Sequence, residues 1–76
     1  MQAVEVLKEQ GNNAFKAQQY PQALELYSQA LHLDPQNYLL YSNRSAVYIQ
    51  LKNYELALSD ADMVSQIRQL QIPSGR

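Results

Sequence analysis

The chain has 76 residues, 46% of them hydrophobic, with a formal net charge of −1 and no cysteine, which predicts one small domain built without disulfides. Charges of both signs are dispersed along it, and no apolar run reaches the ~18 residues of a membrane span, which argues against a nucleic acid or a membrane as a partner. No targeting segment is recognisable, so we expect a cytoplasmic protein.

Two helices are predicted in the first half of the chain. Apolar and small residues recur at helical spacing from Val4 to Phe15, and a polar pair of glutamines then breaks the pattern. The second helix begins near Pro21, because proline fits the first turn of a helix. It ends at Asp34, since the residue before a proline is driven out of helical geometry.

Two more helices are predicted in the second half. The third runs from about Tyr38 to Leu51, and the polar pair after it forms the next turn. The fourth runs from about Glu55 to Gln69. The last five residues, 72–76, read as a disordered tail. The sequence therefore predicts an all-α protein made of four antiparallel helices.

An internal repeat divides these helices into two pairs. The segment Tyr20–Leu24 reads YPQAL and the segment Tyr54–Leu58 reads YELAL. The period is about 34 residues, which is typical of a helix–turn–helix repeat. We therefore predict one repeat domain with repeat 1 at about residues 4–37 and repeat 2 at about 38–71.

Small residues occupy positions where the two helices of a pair must approach closely. A bulky side chain at such a position would hold the helix axes apart. The glycine among them costs about 1 kcal/mol inside a helix relative to alanine, which favours a packing role over a chance occurrence. These positions are Gly11, Ala23, Ala30, Ser45, Ala57 and Ala61.

The spacing of the small and aromatic residues resembles that of the tetratricopeptide repeat. In the first unit the matching residues are Gly11, Tyr20, Ala23, Tyr27, Ala30 and Pro35. In the second unit they are Tyr41, Ser45, Tyr48, Tyr54, Ala57 and Val64. The resemblance implies a right-handed solenoid fragment of two repeats, in which the first and third helices face a concave groove.

Three side chains with hydrogen-bond donors form a candidate ligand site. Lys8 and Asn12 are neighbours one turn apart on the same face of the first helix. The resemblance places Asn43 of the third helix at the same groove. Lysine offers a charge and three donors, and each asparagine amide offers two more, which suits carboxylate oxygens because these only accept. We therefore predict a receptor for a carboxylate.

The stretches LKEQGNNAF and LYSNRSAVY resemble the carboxylate-clamp modules of co-chaperones of the heat-shock organising type. Such modules grip the C-terminal Glu-Glu-Val-Asp tails of cytosolic heat-shock chaperones of the 70-kDa and 90-kDa classes. The resemblance implies that Lys8, Asn12 and Asn43 hold the terminal Asp. It also implies that an apolar groove for the tail is lined by Phe15, Ala46 and Ile49.

Clamp modules of this kind take two further basic residues from the first helix of a third repeat. The 76 residues do not reach that helix. We expect Arg68, Arg76 or a partner chain to supply part of the missing charge.

A structural scaffold without clamp activity is the alternative reading. Stacked repeats usually need about three units and a polar capping helix. The exposed side of the fourth helix is predicted to be apolar, which favours binding to another protein or a homodimer. The residues predicted to form that exposed side are Met63, Val64, Ile67 and Leu70.

Catalysis has little support in the sequence. His32 is the only histidine and no cysteine accompanies it, so we expect no metal site and no cofactor. Asp60 and Asp62 are two residues apart and point to different sides of a helix, which disfavours a paired-carboxylate site. Arg44 is predicted to pack between helices and to form a salt bridge there. The chain is predicted to be a binding module and not an enzyme.

Overall fold

The computed structural model describes residues 2–71, which form four helices and the turns between them. They are α1 (Gln2–Lys16), α2 (Tyr20–Leu33), α3 (Tyr38–Gln50) and α4 (Tyr54–Gln71). The predicted all-α fold of four helices is confirmed, and the observed helix ends lie within about two residues of the predicted ones. The predicted tail 72–76, with Arg76, lies outside the described residues, and the repeat limits 4–37 and 38–71 stay a prediction.

The main core lies between α1, α2 and α3. Helix α2 is central, because it packs against α1 on one side and α3 on the other, and α1 also touches α3. Helix α4 approaches only α3 among the described helices. The buried members of the core are Val4, Ala14, Ala23, Tyr27, Ala30, Leu31, Leu40 and Val47.

Helices α1 and α2 approach closely at Gly11. A Cβ atom built on this glycine would lie 2.6 Å from Cε1 of Tyr27, which is closer than real Cβ contacts allow. The Tyr27 ring is buried and cannot move away without disturbing the core. The predicted packing role of Gly11 is confirmed, since only glycine leaves room for the ring.

The second pair, α3 and α4, is joined by a buried hydrogen bond. Ser45 on α3 donates its hydroxyl to the backbone oxygen of Ala57 on α4 over 2.9 Å. Both residues are buried, as their predicted role in close packing requires. Ala61 was predicted at the same contact, but its side chain is exposed, so that prediction is wrong. It lies one turn beyond Ala57 but at the edge of the buried side of α4, which is formed by Ala57, Asp60 and Ile67.

The turns within the two pairs have the same geometry, one repeat period apart. Gln18 and Lys52 both have a φ of 62°, in the left-handed region. The amide of Gln18 donates to Phe15 and that of Gln19 to Ala14, and the corresponding bonds run from Lys52 to Ile49 and from Asn53 to Tyr48. This pair of hydrogen bonds is the Schellman motif, which provides donors for the last carbonyl groups of a helix. The predicted period of about 34 residues is confirmed in the backbone itself.

We expect Gln18→Gly and Lys52→Gly each to stabilise the fold. The left-handed conformation costs a residue with a side chain about 1–2 kcal/mol, and a glycine removes this cost. Part of the gain is lost again, because glycine has more conformational freedom in the unfolded chain. The expected net gain is about 0.5–1 kcal/mol in the free energy of unfolding, measured by urea denaturation. Gln22→Gly within α2 is the control and should cost about 1 kcal/mol. A lower urea midpoint for the glycine variants at 18 and 52 would contradict the turn assignment.

Candidate functional site

Two of the three residues predicted to bind a carboxylate lie side by side where α1 meets α3. The Nδ2 atom of Asn43 donates to Oδ1 of Asn12 over 3.4 Å. Both residues are half-buried, so each is partly open to solvent. The structure therefore brings together two residues that lie far apart in the sequence.

Tyr27 contacts this pair from the core of the protein. Its hydroxyl donates to the same oxygen, Oδ1 of Asn12, from α2. Burial of the ring raises the pKa of Tyr27 above its ordinary value of 10.0, so the phenol stays protonated and able to donate at neutral pH. The sequence placed Tyr27 in the repeat pattern but did not reveal this contact. A signal was present, because a buried tyrosine hydroxyl usually finds a hydrogen-bond partner.

Lys8 lies one turn before Asn12 on α1 and is partly buried. Its Nζ atom is 3.3 Å from an oxygen of Glu5 on the same helix. Glu5 is mostly exposed, and exposed ion pairs of this kind contribute only about 0–1 kcal/mol. The lysine charge is therefore available to an incoming anion that offers a better partner than Glu5.

The surface formed by Lys8, Asn12 and Asn43 offers hydrogen-bond donors. The oxygen of Asn12 is occupied by two donors from within the fold, Tyr27 and Asn43. Within residues 2–71, neither N–H group of the Asn12 amide has a protein acceptor. The remaining N–H groups and the Lys8 ammonium can therefore bind a group that only accepts hydrogen bonds, of which a carboxylate is the simplest.

The three predicted groove residues differ in exposure. Phe15 and Ala46 are half-buried, whereas Ile49 is 49% exposed. The ring of Phe15 packs against Tyr20, with ring centroids 5.7 Å apart and the planes tilted by 56°. Asn43, Ala46 and Ile49 follow each other at intervals of three residues and so share one side of α3. That they form one apolar groove stays a prediction.

Arg44 is a packing residue between helices, as predicted. Its guanidinium forms a bidentate pair with Asp60 of α4, with both N–O distances 2.8 Å, and also donates to Ser28 of α2 over 3.1 Å. The hydrogen bond with Asp60 raises the pKa of Arg44. The planes of Tyr41 and Tyr48 flank the guanidinium, at 5.6 and 5.9 Å from the ring centroids. Arg44 thus joins three helices and has no donor directed to the Asn12 amide.

The predicted self-association residues of α4 are only partly on its surface. Leu70 is 78% exposed, and Met63 and Val64 are half-buried. Ile67 is 2% exposed, so the prediction that it lies on the exposed side is wrong. It is buried because it lies on the side of α4 that carries Asp60, which packs against α3.

Two surface cavities lie away from the Asn12–Asn43 pair. One, of about 390 Å³, is polar and lies between α1 and α2, lined by Gln10, Asn13, Ala14, Gln19, Gln22 and Leu26. The other, of about 490 Å³, is lined by Leu7, Glu25, Ser28, Gln29, His32 and Leu33. Neither contains a predicted ligand residue.

The described residues hold no group of three or more histidines, cysteines, aspartates or glutamates placed to bind a metal ion. Of the helices formed by residues 2–71, none has the length and apolar character needed to cross a membrane.

A family model described as TPR repeat matches residues 11–52, which is more than half of the chain. The heat shock protein sti1 homolog of Schizosaccharomyces pombe is 44% identical over 64 residues, which are 84% of this chain and 11% of that protein. Hsp70-Hsp90 organizing protein 3 of Arabidopsis thaliana is 49% identical over 57 residues, which are 75% of this chain and 10% of that protein. Human serine/threonine-protein phosphatase 5 is 44% identical over 61 residues, 80% of this chain and 12% of that protein.

Two solved structures share the fold. The first TPR of Spaghetti (RPAP3), bound to the HSP90 peptide SRMEEVD, superposes with a TM-score of 0.86 at 35% identity and covers 90% of this chain and 54% of that one. The Arabidopsis OM64 TPR domain gives a TM-score of 0.87 at 35% identity, over 91% of this chain and 57% of that one. The chain spans about a tenth of the length of the curated relatives it matches.

We expect Asp60→Asn to destabilise the fold without removing the Asn12–Asn43 pair. The change leaves the Arg44 charge without its partner in a largely buried place, which costs about 2–4 kcal/mol in the free energy of unfolding. Asp62→Asn is the matched control, since Asp62 is exposed on the same helix and its loss should cost less than about 0.5 kcal/mol. Equal urea midpoints for the two variants would show that the ion pair does not hold α4 in place.

Proposed function

The chain belongs to the tetratricopeptide repeat family, and we propose that it is a protein-interaction adaptor of the co-chaperone type. In this proposal it binds the acidic C-terminal peptide of a cytoplasmic heat-shock chaperone of the 70-kDa or 90-kDa class. The Spaghetti module, whose structure holds an HSP90 peptide ending in Glu-Glu-Val-Asp, supports the choice of ligand.

One observation carries the proposal, namely the position of the two asparagine amides. Asn12 and Asn43 are 3.4 Å apart across the junction of α1 and α3, and the oxygen of Asn12 is already occupied within the fold. Recognition of a C-terminal carboxylate requires donors that converge on one point without a competing acceptor. This pair supplies such donors, and Lys8 adds the charge.

The rest of the peptide would extend along the side of α3. Ala46 and Ile49 follow Asn43 on that side, and they would contact an apolar side chain of the peptide together with Phe15. The acidic residues further from the C-terminus need cations. Arg68, which was predicted to supply part of this charge, lies over the ring of Tyr38, 5.9 Å from the ring centroid, and therefore at the opposite end of α3 from Ile49.

We expect a peptide that ends in Glu-Glu-Val-Asp to bind with a free C-terminus and to lose most of its affinity when the C-terminus is amidated. Each charge-assisted hydrogen bond contributes about 1.5–3 kcal/mol, so Asn43→Ala and Lys8→Ala should each weaken binding by about tenfold or more. The measurement is isothermal titration calorimetry at low salt, with added salt weakening the binding that depends on Lys8.

Matched control variants are available on the same helix. Asn13→Ala and Lys16→Ala remove the same chemical groups at exposed positions of α1, and binding should be unchanged. Urea denaturation of each variant separates a loss of ligand contacts from a loss of fold. Equal binding of the free and amidated peptides by the parent protein would overturn the proposed function.

Self-association through α4 is a second candidate function, and one comparison within the chain favours it. Tyr20 and Leu24 of α2 pack against the core, whereas their counterparts one period later, Tyr54 and Leu58, are 61% and 64% exposed. The side of α4 that corresponds to the packed side of α2 is therefore uncovered within the described residues. We propose a second copy of the chain as its occupant, in contact with Tyr54 and Leu58.

We expect Tyr54→Glu and Leu58→Glu to shift the protein toward the monomer, since each places a charge in an apolar contact. Sedimentation velocity over a range of concentrations measures the mass. Gln66→Glu adds the same charge at an exposed polar position of α4 and is the control. Ile67→Glu is unsuitable because it would disrupt the core. A parent protein that is monomeric at every concentration would rule out this second function.

A further inference from the structure

The buried hydroxyl of Tyr27 lies directly behind the proposed ligand site. We infer that Tyr27 is a positioning residue of this site, because its hydroxyl fixes the Asn12 amide with the oxygen turned inward and the N–H groups turned outward. The inference rests on the proposed function and deepens it. In this inference, the Tyr27 hydroxyl is the reason that the site prefers a carboxylate to a carboxamide.

The position of the hydroxyl is set by the packing of the ring. Tyr27 is 2% exposed, and its ring edge lies against the backbone of α1 at Gly11. Gly11 directly precedes Asn12 in α1. The contact that holds the ring therefore also sets the distance between the hydroxyl and the amide of the next residue, and neither group can shift independently of the other.

The second donor on the same oxygen reinforces the orientation. With Asn43 in its observed orientation, a reversed Asn12 amide would place its nitrogen against Nδ2 of Asn43, and two donor groups would oppose each other. The raised pKa of Tyr27 keeps its proton in place, so the inward contact persists across neutral and moderately alkaline pH. Both contacts favour the same one of the two amide orientations.

The orientation decides which ligand the site accepts. The two ends of an asparagine amide have nearly the same shape, so only hydrogen bonds distinguish them. An amide with its N–H groups outward binds a carboxylate and offers nothing to the NH₂ group of a carboxamide. A reversed amide would present an oxygen, which repels a carboxylate and accepts from a carboxamide. Without the Tyr27 hydroxyl, only the Asn43 contact favours the observed orientation, and the reversed one becomes more accessible.

The test is the ratio of two affinities in the Tyr27→Phe variant. The probes are peptides ending in Glu-Glu-Val-Asp, one with a free C-terminus and one amidated, titrated by calorimetry. Phenylalanine keeps the ring against Gly11 and removes only the hydroxyl. We expect the carboxylate-to-amide ratio to fall by about tenfold, which corresponds to one charge-assisted hydrogen bond at the lower end of its range.

Ser45→Ala is the matched control. It also removes one buried hydrogen bond, between Ser45 and the backbone of Ala57, but on the side of α3 that faces α4. General destabilisation would weaken both peptides alike and leave the ratio unchanged in either variant. An unchanged ratio in Tyr27→Phe, with the parent protein preferring the free carboxylate, would overturn the inference and leave the proposed function intact.

A further readout does not depend on the peptide. In the ligand-free protein, the side-chain amide NMR signals of Asn12 should move in Tyr27→Phe and not in Ser45→Ala. If the parent protein shows no preference for the free carboxylate, the proposed function fails, and unmoved Asn12 signals would then refute the positioning role as well. Should Tyr27→Phe fail to fold, Asn12→Asp replaces it. Asn12→Asp tests only whether Asn12 binds the ligand, so the positioning role is then tested by hydrogen exchange of the Asn12 side-chain amide in the parent protein. Outward N–H groups should exchange rapidly with solvent, and protection of these protons would contradict the inference.

Discussion

The contact between the Tyr27 ring and the backbone at Gly11 is the constraint on which both the fold and the candidate site depend. It lets α1 and α2 approach closely enough to bury the ring, which is the largest fully buried side chain of the core. The same contact brings the phenol hydroxyl to the amide of Asn12. Core packing therefore sets the direction of the Asn12 amide, a group that binds the ligand. Because this amide is already ordered in the free protein, ligand binding requires no further ordering of its side chain.

The periodic features of the fold were predictable from the sequence, whereas the hydrogen-bond partners of single side chains were not. The repeat period and the four helices follow from spacing and from the family resemblance, and the resemblance also implied that Asn12 and Asn43 share one groove. The hydroxyl of Tyr27 was missed because two helices must be packed before its partner is visible. The burial of Ile67 was missed for a related reason: the sequence shows an apolar position but not which side of α4 rests on α3. Asp60 gave the same difficulty, since its burial depends on Arg44 lying opposite.

The two ends of the repeat array are chemically different. Gln10 and Asn13 are exposed on α1, and they line the polar cavity between α1 and α2. On α4 the exposed residues include Tyr54 and Leu58, which belong to the side that is packed in α2. A polar outer face is typical of a terminal helix, because it can remain in water without loss. The side of α4 that carries Tyr54 and Leu58 is therefore less suited to remain in water than the part of α1 that carries Gln10 and Asn13.

The donor set also determines how a carboxylate would be recognised. Two of the three groups, Asn12 and Asn43, are neutral, and Lys8 is already near Glu5. The formal net charge of the chain is −1, so its overall field does not attract an acidic peptide from a distance. Selectivity must then arise after contact, from the directions of the N–H groups, and association should proceed at the roughly 10⁵–10⁷ M⁻¹s⁻¹ of unsteered encounters. A site of this kind distinguishes ligands by the geometry of their acceptor atoms more than by their total charge.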